Sequence, residues 1–191
     1  MVKLDKIYTR AGDAGRTRLA TGEETPKWSL RVEAYGGVDE TNSAVGVARL
    51  HAGAEPGLDG ILARIQNELF DLGADLATPE RDTPLAFEAL RIQADQVARL
   101  ERDIDTLNGD LGALTSFILP AGTPLCAHLH MARAISRRAE RTIAQLTDDP
   151  QERVSAEALK YANRLSDFLF VAARWANRHV GDVLWVPGGS R

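Results

Sequence analysis

Residues 124–146 read PLCAHLHMARAISRRAERTIAQL. Leu125, Leu129, Ala132, Ser136, Ala139, Ile143 and Leu146 recur in alternating steps of four and three, the spacing that lays small and apolar side chains along one face of a bundled α-helix. At about 100° per residue, Arg133, Arg137, Glu140 and Arg141 share another face, with His130 nearby. One helix therefore carries a packing seam and, opposite it, a charged stripe.

The pattern repeats outward from this segment. After the turn TDDPQE, a fifth helix is predicted over roughly Val154–Val180, with Tyr161, Leu165, Phe168, Ala172 and Trp175 in the same spacing. The remaining LWVPGGSR is too short to form a domain. In the other direction, the apolar segment SFILPAGTP is bounded by prolines, and a third helix is predicted from about Phe87 to Leu107, stopped by Asn108 and Gly109. A second runs from about Leu58 to Ala77 with Ile61, Ile65, Leu69, Leu72 and Leu76 as its stripe, and a first from about Leu30 to Ala52 along Ala34, Val38, Thr41, Val45 and Ala48. Gly36 and Gly37 weaken that first helix and point to a close approach by a neighbour. Residues 1–28, with Gly12, Gly15, Gly22 and Pro26, show no helical period and read as a loop-like arm. The expected fold is all-α, an antiparallel five-helix bundle with an extended glycine-containing N-terminal arm. Residues 1–191 read as a single domain, with the arm over 1–28, the bundle over 29–181 and a tail over 182–191.

Composition excludes several classes. Hydrophobic residues make up 44% and charged residues 26% of the 191 positions, ordinary for a globular protein. The formal net charge is -4, so no chain-wide nucleic-acid footprint is present and no nucleic-acid partner is expected. No apolar run approaches the roughly 20 residues of a membrane span. The start MVKLDKIYTR lacks the apolar core of a signal peptide, and Cys126 is the only cysteine, so the expected location is the reducing cytoplasm.

Five segments carry candidate chemistry. HMARAISRRAER, residues 130–141, is either a solvated arginine face or a site for a polyanion, since guanidinium forks hold phosphate oxygens bidentately. YTRAGDAGRT, residues 8–17, is either a surface turn or a phosphate cradle in which Gly12 and Gly15 let backbone N–H groups converge beside Arg10, Arg16 and Thr17. It is not a Walker A loop, because no Gly-Lys-Ser/Thr follows. In RVEAYGGVDETNSAVG, residues 31–46, Asp39, Asn42, Ser43 and Gly46 form a small polar stripe, and a buried Asp would call for a cationic partner. YANRLSDFLF, residues 161–170, sets Asn163 and Asp167 one turn apart, and SFILPAG, residues 116–122, places Phe117 before a turn, as a core or a ligand contact. No Glu-x-x-His occurs, so a ferritin-like di-iron site is excluded. His128 and His130 point to opposite sides of their helix, and Cys126 has no positioned base to make it a nucleophile.

Taken in order, IYTRAGDAGRT, RVEAYGGVDETNSAVG, FILPAG, HMARAISRRAER and YANRLSDFLF resemble the PduO-type ATP:corrinoid adenosyltransferases over nearly the whole chain. The resemblance implies a homotrimer with active sites between subunits, and transfer of the 5′-deoxyadenosyl group of ATP to cob(I)alamin with release of triphosphate. It implies ATP contacts at Thr9, Arg10, Gly12, Gly15, Thr17 and Lys27 of the arm, at Arg137, Arg138, Glu140 and Arg141 of the fourth helix, and at Asn163 of the fifth. It also implies that Asp39 pairs with Arg133 across the interface and that Phe117 lies against the lower face of the corrin ring, so that Asp39, Phe117, Arg133 and Arg137 are the catalytic set, the first three also binding cobalamin. Mg2+ would be held mainly by the ATP phosphates rather than by protein ligands. A cobalt reductase and a B12-dependent mutase are the implied partners. Three positions depart from the family pattern: Ala11 stands where threonine is usual, Ala121 replaces a glycine, and His128 replaces a small residue. Two other classes fit part of the pattern. A non-catalytic adenosylcobalamin carrier would use the same corrin contacts, and an ATP-sensing bundle would use the arm and the arginines but have no need of Phe117.

Overall fold

The structure, a computed structural model, describes residues 7–189 and Arg191; residues 1–6 of the arm and Ser190 of the tail lie outside the described residues. In chain order the elements are β1 (Arg16–Arg18), β2 (Glu24–Pro26), α1 (Leu30–Arg49), α2 (Pro56–Leu76), α3 (Ala94–Asn108), α4 (Pro124–Thr147) and α5 (Ala156–Ala176). α1 packs most extensively on α4, α4 on α5, and α2 and α3 flank α1 and α5. The expected all-α bundle is the observed architecture.

The seam read from the sequence is the core. Leu125, Leu129, Ala132, Ser136, Ala139, Ile143 and Leu146 are all buried, as are Ala34, Val38, Thr41, Val45 and Ala48 of α1. Small residues let the two helices approach closely. A Cβ on Gly37 would lie 3.1 Å from Ala139 Cβ, whereas nothing lies within 4 Å of one on Gly36. Of the two glycines, only Gly37 answers to a close approach. Local signals fix the helix starts: Thr123 accepts from Cys126 N at 3.2 Å with Pro124 opening α4, and Ser155 accepts from Ala158 N at 3.2 Å to open α5.

Two sequence expectations need correction. The third helix begins at Ala94, not near Phe87. Arg91 donates to Asp75 Oδ1 at 2.7 Å and to Thr78 O at 2.7 Å, while Ile92 N donates to Asp75 Oδ2 at 2.9 Å. These bonds from the buried Asp75 hold residues 91–92 extended and seat Ile92 in the core, and Gln96 Oε1 then accepts from Gln93 N at 2.8 Å to start the helix. The arm, in turn, contains an antiparallel hairpin, with Arg16 opposite Pro26, Thr17 opposite Thr25 and Arg18 opposite Glu24. Its turn is tied to the bundle by Ala20 N donating to Ala77 O at 3.0 Å, by buried Leu19, and by ion pairs that run from Glu23 through Arg81 to Glu152 and Arg31. Burial pushes the Glu152 carboxyl up, but the hydrogen bonds and charges of Arg31 and Arg81 outweigh it and hold the group below the usual range.

The two glycines should therefore respond oppositely. Gly37→Val should cost about 1–3 kcal/mol by overpacking the α1–α4 contact. Gly36→Ala should gain up to about 1 kcal/mol from helix propensity. Urea unfolding midpoints of the two variants check the contrast.

Candidate functional site

Four clefts among the described residues bear on the site. One, of 640 Å³, is lined by Leu114–Ile118 and Pro120 of the α3–α4 connection, by His130 and Arg133 of α4, by Phe170 of α5 and by Trp185 of the tail. Phe117 is 77% exposed and meets the Trp185 ring at 6.0 Å and 59°. It is therefore not a core residue. Arg133 lies with its guanidinium 5.3 Å from the centroid of the Phe170 ring, and His130 meets the same ring edge-on at 6.2 Å. Burial and the neighbouring Arg133 charge lower the His130 pKa against the opposing pull of Asp182, so the imidazole is neutral at physiological pH. Burial, and then the charge of Arg137, also lower the Arg133 pKa against the opposing pull of the Asp167 carboxylate.

Along the same helix the guanidiniums part company. Arg138 turns toward α1 and pairs with Glu40. Arg141 donates to Arg137 O at 3.2 Å. Arg137 is exposed, and its guanidinium has no hydrogen-bonding or ion-pair partner among the described residues. Beside this stripe, Glu140 Oε1 accepts from Asn163 Nδ2 at 2.8 Å, and both line a 490 Å³ groove between α4 and α5 with Lys160. Asp167 instead pairs with Arg164 at 3.2 Å.

The arm forms its own cleft of 440 Å³, lined by Thr9, Ala11, Gly12, Arg16, Thr17, Arg18, Glu24 and Lys27. A Cβ on Gly12 would fall 2.7 Å from Lys27 Nζ, so the end of the lysine lies close over this loop. Gly15 takes a positive φ of 75° and its carbonyl accepts from Lys27 N at 3.0 Å. Arg10 does not line this cleft; it lies 5.9 Å from the Tyr8 ring centroid with φ 61°. The fourth cleft, 490 Å³ between α1 and α2, is lined by Asp39 with Tyr35, Gly36, Leu69 and the 72%-exposed Phe70 among others. Asp39 is exposed and has no ion pair among the described residues. Within one chain, Asp39 and Arg133 therefore line different clefts. Asn42 is buried and spent on packing, exchanging bonds of 3.0 and 3.2 Å with Gln66, while Ser43 is exposed.

The sequence pattern described as cobalamin adenosyltransferase matches residues 7–176. The chain belongs to the cobalamin adenosyltransferase family. A corrinoid adenosyltransferase of Mycobacterium leprae is 46% identical over 98% of this chain and 99% of its own, and that of Bacillus subtilis 43% identical over 93% and 91%. Among solved structures, a phenylalanine-to-histidine variant of the PduO-type ATP:corrinoid adenosyltransferase from Lactobacillus reuteri, complexed with cobalamin and ATP, superposes with a TM-score of 0.85 at 42% identity, covering 94% of this chain and 96% of that one.

Within this family framework, the sequence reading missed the tail. Leu119 N donates to Val183 O at 2.7 Å, Trp185 N to Phe117 O at 2.8 Å and Ser116 Oγ to Trp185 O at 2.7 Å, so residues 183–185 pair with the segment carrying Phe117. The apolar run around Trp185, with no helical period, was the available signal. The departures from the family pattern also find places: His128 stacks on His51 at 4.9 Å, and Ala121 O accepts from Asn177 Nδ2 at 2.9 Å. Cys126 is buried, and desolvation followed by the Asp182 charge pushes its thiol up to about 11, which removes it as a nucleophile.

Exposure of Phe117 sets a stability test. Phe117→Ala should change the folding free energy by no more than about 0.5 kcal/mol. Phe168→Ala, at a fully buried ring, should cost about 3–5 kcal/mol. Denaturant titrations of the two variants separate the exposed ring from the core ring.

Proposed function

We propose that the chain transfers the 5′-deoxyadenosyl group of ATP to cob(I)alamin and releases triphosphate, with the 640 Å³ cleft holding the corrinoid and the arginine stripe holding the phosphates. The ATP-dependent transfer of an adenosyl group to a corrinoid is the activity of the family. The observation that carries the finer reading is Arg133. It belongs at once to the apolar cleft of Phe117, Phe170 and Trp185 and to the stripe that continues through unpaired Arg137.

In this reading the Co(I) electron pair attacks the 5′ carbon, the cobalt–carbon bond forms, and the carbon–oxygen bond breaks with its electrons leaving on triphosphate. Arg137 and Arg141 neutralise that leaving group, joined by Arg138 only if it is released from Glu40. Glu140 and Asn163 orient the nucleotide, and Thr9, Gly12, Gly15, Thr17 and Lys27 wrap it from the arm, with Arg10 joining only if it swings in from Tyr8. Phe117 fills the space under the corrin and keeps a lower ligand off cobalt, which eases reduction of Co(II). Mg2+ is proposed to ride on the ATP phosphates, and no step is assigned to it.

A homotrimer completes the site. No described arm residue lines the α4–α5 groove and no α4 residue lines the arm cleft, which supports a nucleotide site shared between chains. Asp39 would meet Arg133 of a neighbouring copy, each lacking an ion-pair partner among the described residues of its own chain. No described helix is long and apolar enough to cross a membrane. A reductase supplying the electron and a B12-dependent mutase receiving the product are the proposed partners. The carrier reading shares every corrin contact and differs only in turnover.

An anaerobic assay with ATP, Mg2+ and chemically reduced cobalamin, following the cobalt spectrum, tests the reaction; binding without conversion would leave a carrier. In that assay Arg137→Ala should lower kcat/KM roughly ten- to a hundred-fold, with partial rescue by Arg137→Lys, which lacks the planar fork. Wild-type kinetics would return the stripe to a solvated face. Asp39→Asn and Arg133→Ala should each impair turnover, with a double mutant less impaired than additivity predicts. Light scattering should show trimers for the wild type, and a fully active monomer would refute the shared site.

A further inference from the structure

Beneath the large cleft, Arg174 in the last turn of α5 is buried and holds both of the segments that wall it. Its Nε donates to Asp182 Oδ2 at 3.0 Å and its second guanidinium nitrogen donates to Gly112 O at 2.8 Å. Asp182 opens the tail segment that pairs with residues 117–119, and Gly112 opens the connection that leads to Phe117. One planar guanidinium therefore joins the α3–α4 connection to the tail at the point where each departs from the bundle, and the ladder above it carries Phe117 and Trp185. The carboxylate has capacity left. Asp182 Oδ1 and His130 Nε2 are both buried and unpartnered among the described residues, and the Asp182 charge acts on His130. Asp182 is thus the electrostatic centre shared by the tail, α4 and α5.

We propose that the Arg174–Asp182 clasp is a positioning device that presses the Phe117–Trp185 ladder against the cleft and so governs whether a bound corrinoid keeps or loses its lower ligand. The proposal rests on reading the cleft as the corrinoid site. Neither residue touches the reacting atoms. Their effect reaches the cobalt through the two rings, which meet at 6.0 Å and 59° on the two segments that the clasp joins. A purely structural clasp would change overall stability and leave the coordination of the bound cobalt alone. A positioning clasp changes coordination while leaving the arginine stripe as it was.

The test uses the full chain with ATP and Co(II) cobalamin, reading the fraction of bound cobalt that has lost its lower nitrogen ligand by electron paramagnetic resonance and absorption. Asp182→Asn retains the shape but weakens a charge-assisted bond, so that fraction, expressed as a ratio to the ligated form, should fall at least about fivefold. The ATP dissociation constant should stay within about twofold, because the phosphate contacts lie elsewhere. Chemically prepared Co(I) should restore most of the lost turnover. Should Asp182→Asn fail to fold, Ser116→Ala removes only the 2.7 Å bond to Trp185 O and should shift the same ratio in the same direction by a smaller factor. A wild-type ratio in a folded Asp182→Asn or in Ser116→Ala overturns the clasp, as does a parallel loss of ATP affinity and ligand displacement. A wild-type protein that never displaces the lower ligand overturns the reading of the cleft itself, and the clasp with it.

Discussion

The contact of Gly37 with Ala139 governs what the rest of the surface can do. With room for no side chain at residue 37, α1 lies against the small-residue face of α4, and the seam from Leu125 to Leu146 is buried between α1 and α5. The rotation of α4 is then fixed. Arg133, Arg137 and Arg141, set by spacing on another face of the helix, have no core to enter and no α1 carboxylate within reach, while Arg138, one residue on from Arg137, meets Glu40. A glycine that holds two helices together thus decides which of four arginines meets an α1 carboxylate.

That distinction separates a site from a charged surface. Elsewhere in the described residues arginines are consumed by the fold: Arg31 on Glu152, Arg49 on Asp59, Arg64 on Asp103, Arg91 on Asp75, Arg178 on Glu55. Each ties two segments together, and the shared Glu152 also fastens the arm hairpin through Arg81. Against that habit, a stripe of cations in which the Arg137 charge lowers the Arg133 pKa is a standing repulsion. Repulsion of this kind is relieved when a polyanion is bound, which supports the proposal that these side chains hold a triphosphate.

Much of this was legible in the sequence because it is local. Apolar periodicity gave all five helices, and Thr123 and Ser155 mark starts that a capping side chain enforces. The start of α3 was not legible, since it depends on Asp75 reaching across sixteen and seventeen positions to Arg91 and Ile92. The arm hairpin escaped for a similar reason: its strands are three residues long and are anchored through Ala77 and Arg81, not through their own propensity. Arg133 and Arg137 could be placed on one stripe from spacing alone, but the exposure of Phe117 and its pairing with Trp185 could not, because that pairing joins segments far apart in the chain through backbone bonds.

The chemistry available to these residues explains what the site lacks. The one cysteine is buried with its thiol pushed up to about 11, and His130 is held neutral in an apolar wall, so neither serves as nucleophile or general acid. A reaction whose nucleophile is the cobalt of one substrate and whose leaving group is already anionic requires neither. It requires that an apolar, bulky reactant and a highly charged one be brought within bonding distance without either solvating the other. Under the proposed function, Arg133 is where those demands meet. Its guanidinium rests against the Phe170 ring, partly dehydrated and facing the cleft, yet it remains in the field of Arg137. An apolar wall joined to a cationic stripe through a single side chain leaves little freedom in how the two substrates approach, and positioning of that kind is the main contribution a protein can make when the metal carries the bond-making electrons.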